Sequence, residues 1–230
     1  MWHDDKNDVE GAIKGSLERL KLDYIDLYLV HWMRADVDWD DPNWKILSPP
    51  HHIVWANMEK LVEKGLTKSI GVSNCTIPML FDLLAGCKIR PVLNQIECHP
   101  YLQQTRVNEF HQKYGIHLES YGSIGSGHWT LREDKHKDVS VLNDPVVKEI
   151  SEATGKSPAQ IVLAWHIQRK CIPLVKTTKE SRLLENISAA YEVNLTAEQV
   201  KKIDDLDAGI RLYNPKFIDG FGWNGMPFFD

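Results

Sequence analysis

No apolar run in the 230-residue sequence approaches the roughly 18 residues that a membrane-spanning helix needs. The best stretches, residues 25–30 and 161–165, are short and are interrupted by Asp26 or ended by His166. The first ten residues, MWHDDKNDVE, carry charge where a secretory leader needs an apolar core. Excess positive charge is also lacking. There are 27 basic against 32 acidic side chains, a net charge of −5, which gives no polycationic footprint for nucleic acid or an anionic membrane. Cysteine is sparse: Cys75, Cys87, Cys98 and Cys171 lie far apart without a C-x-x-C pair, so neither a zinc ribbon nor a disulfide framework is indicated. The pairs His51 with His52 and His111 with His117 lack a third ligand at convincing spacing and read as surface or helix histidines, so no metal site is expected. These absences together point to a soluble, cytoplasmic protein that acts on small molecules or protein partners.

What is present suits a folded chain. Apolar residues make up 43% and charged residues 26%, enough for a sizeable core, and the length suits a single domain over 1–230. Residues 8–20 carry Val9, Ile13, Leu17 and Leu20 on one helical face, followed by a strand-like run at 24–30. The same alternation recurs. Helices are expected at 53–63 (closed by Gly65), 78–84, 104–114 (ending at Gly115), 145–153, 158–168, 182–189 and 197–206. Strands are expected at 69–72, 92–96, 116–120 and 172–175, and the tail 209–230 shows no period.

Five strands separated by helices indicate parallel β-α units, because parallel neighbours need a crossover. The run Gly122-Ser-Ile-Gly125-Ser-Gly127 has its glycines in the wrong order for a dinucleotide loop, and no helix follows directly, so a (β/α)8 barrel is favoured over a doubly wound sheet. In a barrel the residues just past the strand ends carry the chemistry. Here those are His31, Ser73 and Asn74, Gln95 and Glu97, Tyr121, and Lys176 with Thr177.

Those strand ends sit in four long segments: LDYIDLYLVHW at 22–32, MEKLVEKG with KSIGVSN at 58–65 and 68–74, NQIECHPY at 94–101, and LVKTTKESRLLEN at 174–186. In order and spacing they resemble the aldo-keto reductases, NAD(P)H-dependent (β/α)8 barrels. RLYNP at 211–215 and GMPFF at 225–229 are most similar to the xylose and aldose reductase branch. The resemblance implies that His31 donates a hydrogen bond to the substrate carbonyl oxygen, with Trp32 beside it at the substrate. It implies that Ser73, Asn74 and Gln95 hold the nicotinamide carboxamide and that Tyr121 forms the platform under its ring. Ser126 matches the loop across the pyrophosphate, although Gly122 and Ser123 replace a more usual Ser-Pro. Lys176, Thr177, Arg182, Glu185 and Asn186 match residues around the adenosine ribose. Two cations there favour the 2′-phosphate of NADPH over NADH. Aldehydes and open-chain sugars are the implied carbonyl substrates.

Taken singly, each of these residues has a plainer reading. His31 is then a hydrogen-bonded core histidine, Ser73 and Gln95 are polar caps, the tryptophans at 32, 39, 44 and 55 are packing, and Lys60, Lys64 and Lys68 form a solvated face. Their joint position at successive strand ends favours the functional reading. The resemblance also implies a catalytic set of Asp, Tyr, Lys and His, of which only His31 has a counterpart; Trp2 resembles the tryptophan two positions after that lysine. The expected fold is therefore α/β, an incomplete TIM (β/α)8 barrel holding strands 4 to 8, their helices and a C-terminal tail. Its open edges would be covered, for example by another chain. The alternative is a catalytically impaired, reductase-derived structural or regulatory subunit of a larger assembly.

Overall fold

The structure, a computed structural model, describes residues 8–33, 49–125 and 138–213. Ser126, Trp2, Trp39, Trp44 and the segment 214–230 lie outside the described residues. The described elements alternate as expected: α1 (Val9–Leu20), β1 (Ile25–Val30), α2 (His51–Glu63), β2 (Thr67–Ser73), α3 (Ile77–Gly86), β3 (Leu93–Glu97), α4 (Thr105–Tyr114) and β4 (His117–Tyr121). A 3-10 turn (Val141–Asn143), α5 (Pro145–Thr154), α6 (Pro158–Gln168), β5 (Cys171–Pro173), α7 (Glu180–Glu192) and α8 (Ala197–Asp204) follow. Among the described residues no helix is long and apolar enough to cross a membrane.

The chain divides into two units, residues 1–95 with 110–117, and residues 96–109 with 118–230. In the first, β1 pairs with β2 and β2 with β3, all parallel. Helix α1 begins where Asp8 accepts from the Gly11 amide at 2.8 Å, and its Val9, Ile13 and Leu17 turn one buried stripe inward. These meet Trp55, Met58 and Leu61 of α2, Ile70 and Val72 of β2, and Leu80 of α3 in one core. The Trp55 indole stays satisfied by donating to the Ile89 carbonyl at 3.0 Å. Residues 70–73 are buried without alternation, as in a strand covered on both faces. Gly71 is required there. A Cβ on it would stand 2.6 Å from Leu29 Cδ2 and 2.7 Å from the Leu93 carbonyl oxygen.

In the second unit the end of β3, then β4 and β5, follow in order, with β4 and β5 parallel. Helix α6 starts in a capping box of Ser157 and Gln160 and is buried on every side over 160–166. It packs with Val147, Ile150, Leu195 and Ile203. Trp165 donates to Asp204 at 2.8 Å, and the Gln103 side-chain amide donates to the carbonyls of Ile203 and Asp204, both at 2.9 Å. Those two carbonyls belong to the last turn of α8, where intrahelical partners run out.

The structure departs from the sequence pattern at several element ends and at one buried side chain. Strand β5 spans Cys171–Pro173 rather than 172–175. Helix α7 runs from Glu180 to Glu192, longer than its apolar period, with Leu183, Leu184, Ile187 and Tyr191 exposed and only Ala189 buried. Lys64 and Lys68 are exposed, as in the solvated-face reading, and pair with Glu10 and Asp26. His111 is on a helix yet is wholly buried instead of at the surface, and Asn94 donates to its Nε2 at 3.2 Å.

Candidate active site

Parallel strands finish at the same edge of a sheet, which brings the residues after them together. In the first unit the register Val30 to Val72 and Ser73 to Gln95 sets three such ends side by side. Asn74 follows β2 in the left-handed region, φ 58°, which asparagine tolerates better than most residues. Held so, its side-chain amide donates to the His31 carbonyl at 3.0 Å and to Ser73 Oγ at 3.2 Å. The Ser73 hydroxyl in turn donates to the Gln95 carbonyl at 2.7 Å, and the Asn74 backbone amide donates to the same oxygen at 2.9 Å. His31, Ser73, Asn74 and Gln95 are thus one hydrogen-bonded cluster. His31 is half-buried, and its ring lies 5.9 Å from that of Trp32, which is itself buried.

The donor set of this cluster fits a primary carboxamide. Asparagine and glutamine amides and a serine hydroxyl together supply both donors and acceptors, as that group requires.

The second unit carries the remaining candidates. Tyr121 closes β4, half-buried, with its ring edge-on to Tyr213 at 5.5 Å. Burial, and after it the nearby Glu97 carboxylate, push its phenol far above the usual tyrosine range, so it stays neutral. The departure at Gly122 and Ser123 has a structural reason. Gly122 sits at φ +64°, and a Cβ there would meet the Tyr213 ring at 2.8 Å. The buried Ser123 hydroxyl lies 2.7 Å from the Ser120 carbonyl and 2.9 Å from that of Leu174, tying the end of β4 to the residue after β5. Before α7, Thr177 Oγ1 accepts from the Lys179 amide at 3.0 Å. Lys176 and Arg182 are exposed and have no carboxylate partner among the described residues, which suits an anionic ligand at the start of this helix. Glu185 accepts from the Ser157 hydroxyl, and Asn186 is half-buried beside it in sequence.

Glu97 has a larger structural part than its strand-end position suggested. Its wholly buried carboxylate accepts from His99 Nε2 at 3.0 Å, from Arg211 Nη1 at 3.3 Å, and from the amides of Leu212 and Tyr213. One carboxylate therefore fastens residues 211–213 to the end of β3 and sets Tyr213 against Tyr121.

The profile of the Aldo/keto reductase family matches residues 2–208. The chain belongs to this family. It is 37% identical over 222 residues to the rat protein "Aldo-keto reductase family 1 member A1", covering 93% of this chain and 67% of that one. It is 36% identical over 247 residues to "NAD(P)H-dependent D-xylose reductase I,II" of Candida tropicalis, covering 99% and 73%. Among solved structures, the aldose reductase of Giardia lamblia superposes with a TM-score of 0.83 at 31% identity, over all of this aldo-keto reductase chain and 76% of that one.

Proposed function

We propose that this chain binds NADPH and serves the reduction of aldehydes and ketones, aldose-type carbonyls among them, to alcohols. In this reading its five β-α units correspond to strands 4 to 8 of a (β/α)8 barrel. The observation that supports it most is the cluster of His31, Ser73, Asn74 and Gln95 at adjacent strand ends. Ser73, Asn74 and Gln95 would hold the nicotinamide carboxamide, and Tyr121 would form the platform under its ring. Lys176 and Arg182 would take the 2′-phosphate and Thr177, Glu185 and Asn186 the ribose, and the family resemblance assigns Ser126 to the pyrophosphate. His31 donates to the carbonyl oxygen and stabilises the negative charge that develops there. Bound, the reduced nicotinamide supplies the hydride.

Relatives differ in their cofactor: one is named "NADH-dependent D-xylose reductase", from Candida parapsilosis. The cation pair before and within α7 is the discriminating feature here. Titration of the 230-residue chain with NADPH and NADH, followed by tryptophan fluorescence, tests this. NADPH is expected to bind more tightly, and Arg182→Ala to weaken NADPH by roughly 10-fold or more while leaving NADH nearly unchanged. Absence of any NADPH quenching refutes cofactor binding, and equal losses for both nucleotides refute the role of Arg182. None of the seven tyrosines occupies the proton-donor context that the family resemblance implies. Turnover by these residues alone is therefore expected to fall about 10²–10⁴-fold below that of a chain supplying a positioned acid.

A further inference from the structure

The second unit buries three soft ligands together. Cys98, just past β3, His166 of α6 and Cys171, the first residue of β5, are at most 4% exposed, and their ligating atoms all lie within 4.8 Å of one another. Tetrahedral zinc with two sulfurs and one nitrogen needs separations of about 3.5–3.8 Å, within an ångström or so of that arrangement.

The histidine is set for this task. Its Nε2 lies 3.0 Å from the Ser123 carbonyl oxygen, which can only accept, so Nε2 carries the proton. Nδ1 is then a bare lone pair, and it is buried without a hydrogen-bond partner. An unpaired buried acceptor is costly in an ordinary core. A backbone carbonyl holding the far nitrogen is, however, the usual support of a metal-bound imidazole. The thiols are weakly engaged: Cys98 donates to the Gln103 carbonyl at 3.4 Å, and Cys171 contacts Cys98, His166 and Ser120. The surroundings, Ile96, Val107 and Leu118, are apolar.

We propose that Cys98 Sγ, Cys171 Sγ and His166 Nδ1 form a zinc site. Binding releases the two thiol protons and leaves a neutral centre, two thiolates against one divalent ion, which an apolar setting accepts better than bare charge. The site's role is to lock the end of β3, α6 and β5 of this unit.

The test uses the full 230-residue chain without an affinity tag, purified under reducing conditions without chelator. Metal content by mass spectrometry is expected near one zinc per chain, and cobalt loading is expected to give thiolate-to-cobalt charge-transfer absorption. Cys98→Ser and Cys171→Ser are each expected to weaken zinc by more than roughly 100-fold, the upper end for losing only a supporting hydrogen bond. Cys87→Ser is expected to leave it unchanged. The cobalt spectrum of the unaltered chain needs no variant to fold, and a spectrum without charge-transfer bands overturns the proposal. So does zinc retained in both serine variants, or a Cys98–Cys171 disulfide in the reduced preparation.

Discussion

Replacing Glu97 by alanine removes the one acceptor shared by His99, Arg211, Leu212 and Tyr213. Arg211, only 17% exposed at its side chain, loses this carboxylate, and the amide of the buried Leu212 loses its partner. Breaking a buried ion pair from one side costs about 3–5 kcal/mol, and one orphaned buried donor by itself about 1–3 kcal/mol. The larger figure is not simply additive with the smaller, since both describe the same lost acceptor, so about 3–5 kcal/mol is expected for Glu97→Ala. Glu97→Gln keeps one oxygen but turns an amide toward the remaining donors, and about 2–3 kcal/mol is expected. The loss is local. Hydrogen exchange at the Leu212 and Tyr213 amides reads it directly, and at about 1.4 kcal/mol per decade protection there should fall by about 10²-fold to several thousand-fold in the alanine variant. Amides of β1 and β2 in the first unit should change far less. Unchanged protection at 212 and 213 would refute the assignment of Glu97 as their anchor.

Burial holds His111 down to about 4, against an ordinary 6.5, and protonation would also turn a donor toward Asn94. Below pH 6.5 the unfolded chain takes a proton that the folded chain refuses; stability is complete above 6.5 and is lost as the pH falls toward 4, by roughly 3 kcal/mol. Urea unfolding at pH 7 and 4.5 should show a smaller drop in His111→Gln than in the parent, and equal drops would sink the account. Gly122→Ala forces a left-handed alanine against the Tyr213 ring and should cost about 1–3 kcal/mol by thermal unfolding, with part recovered in Gly122→Ala combined with Tyr213→Ala. No recovery in the double variant would mean the clash is not with that ring. Gln103→Ala uncaps the last carbonyls of α8 and should cost about 1–3 kcal/mol, with exchange in that helix rising before exchange in α5.

The helix and strand alternation was legible because each element buries one stripe, as Val9, Ile13 and Leu17 do, or a continuous run, as at 70–73. The strand-end cluster was legible too, since parallel strands force His31, Ser73, Asn74 and Gln95 to one edge. Other features are set by neighbours distant in the chain. His111 reads as a polar helix residue until Asn94 meets it, and Cys98, His166 and Cys171 share no motif spacing. The apolar side chains of α7 mark no buried face, so periodicity misplaced both ends of that helix. Glu97 showed itself as a polar strand end, but its four donors come from His99 and from residues 211–213, which no local pattern connects.

Two of the second unit's fastenings span the chain at long range: Gln103 holds carbonyls 100 and 101 residues onward, and Glu97 holds an amide 115 residues onward. Closing loops of that length costs about 2 kcal/mol more entropy than closing ten-residue loops. The order of events during synthesis follows. The end of β3 leaves the ribosome early, with His99 close to Glu97 but with Arg211 and the amides of Leu212 and Tyr213 still to come, and with Gln103 lacking the helix it caps. Gln103 waits for residues 203 and 204 and Glu97 for 211–213, so this unit completes itself late, whereas β1 pairs with β2 across a much shorter stretch of chain.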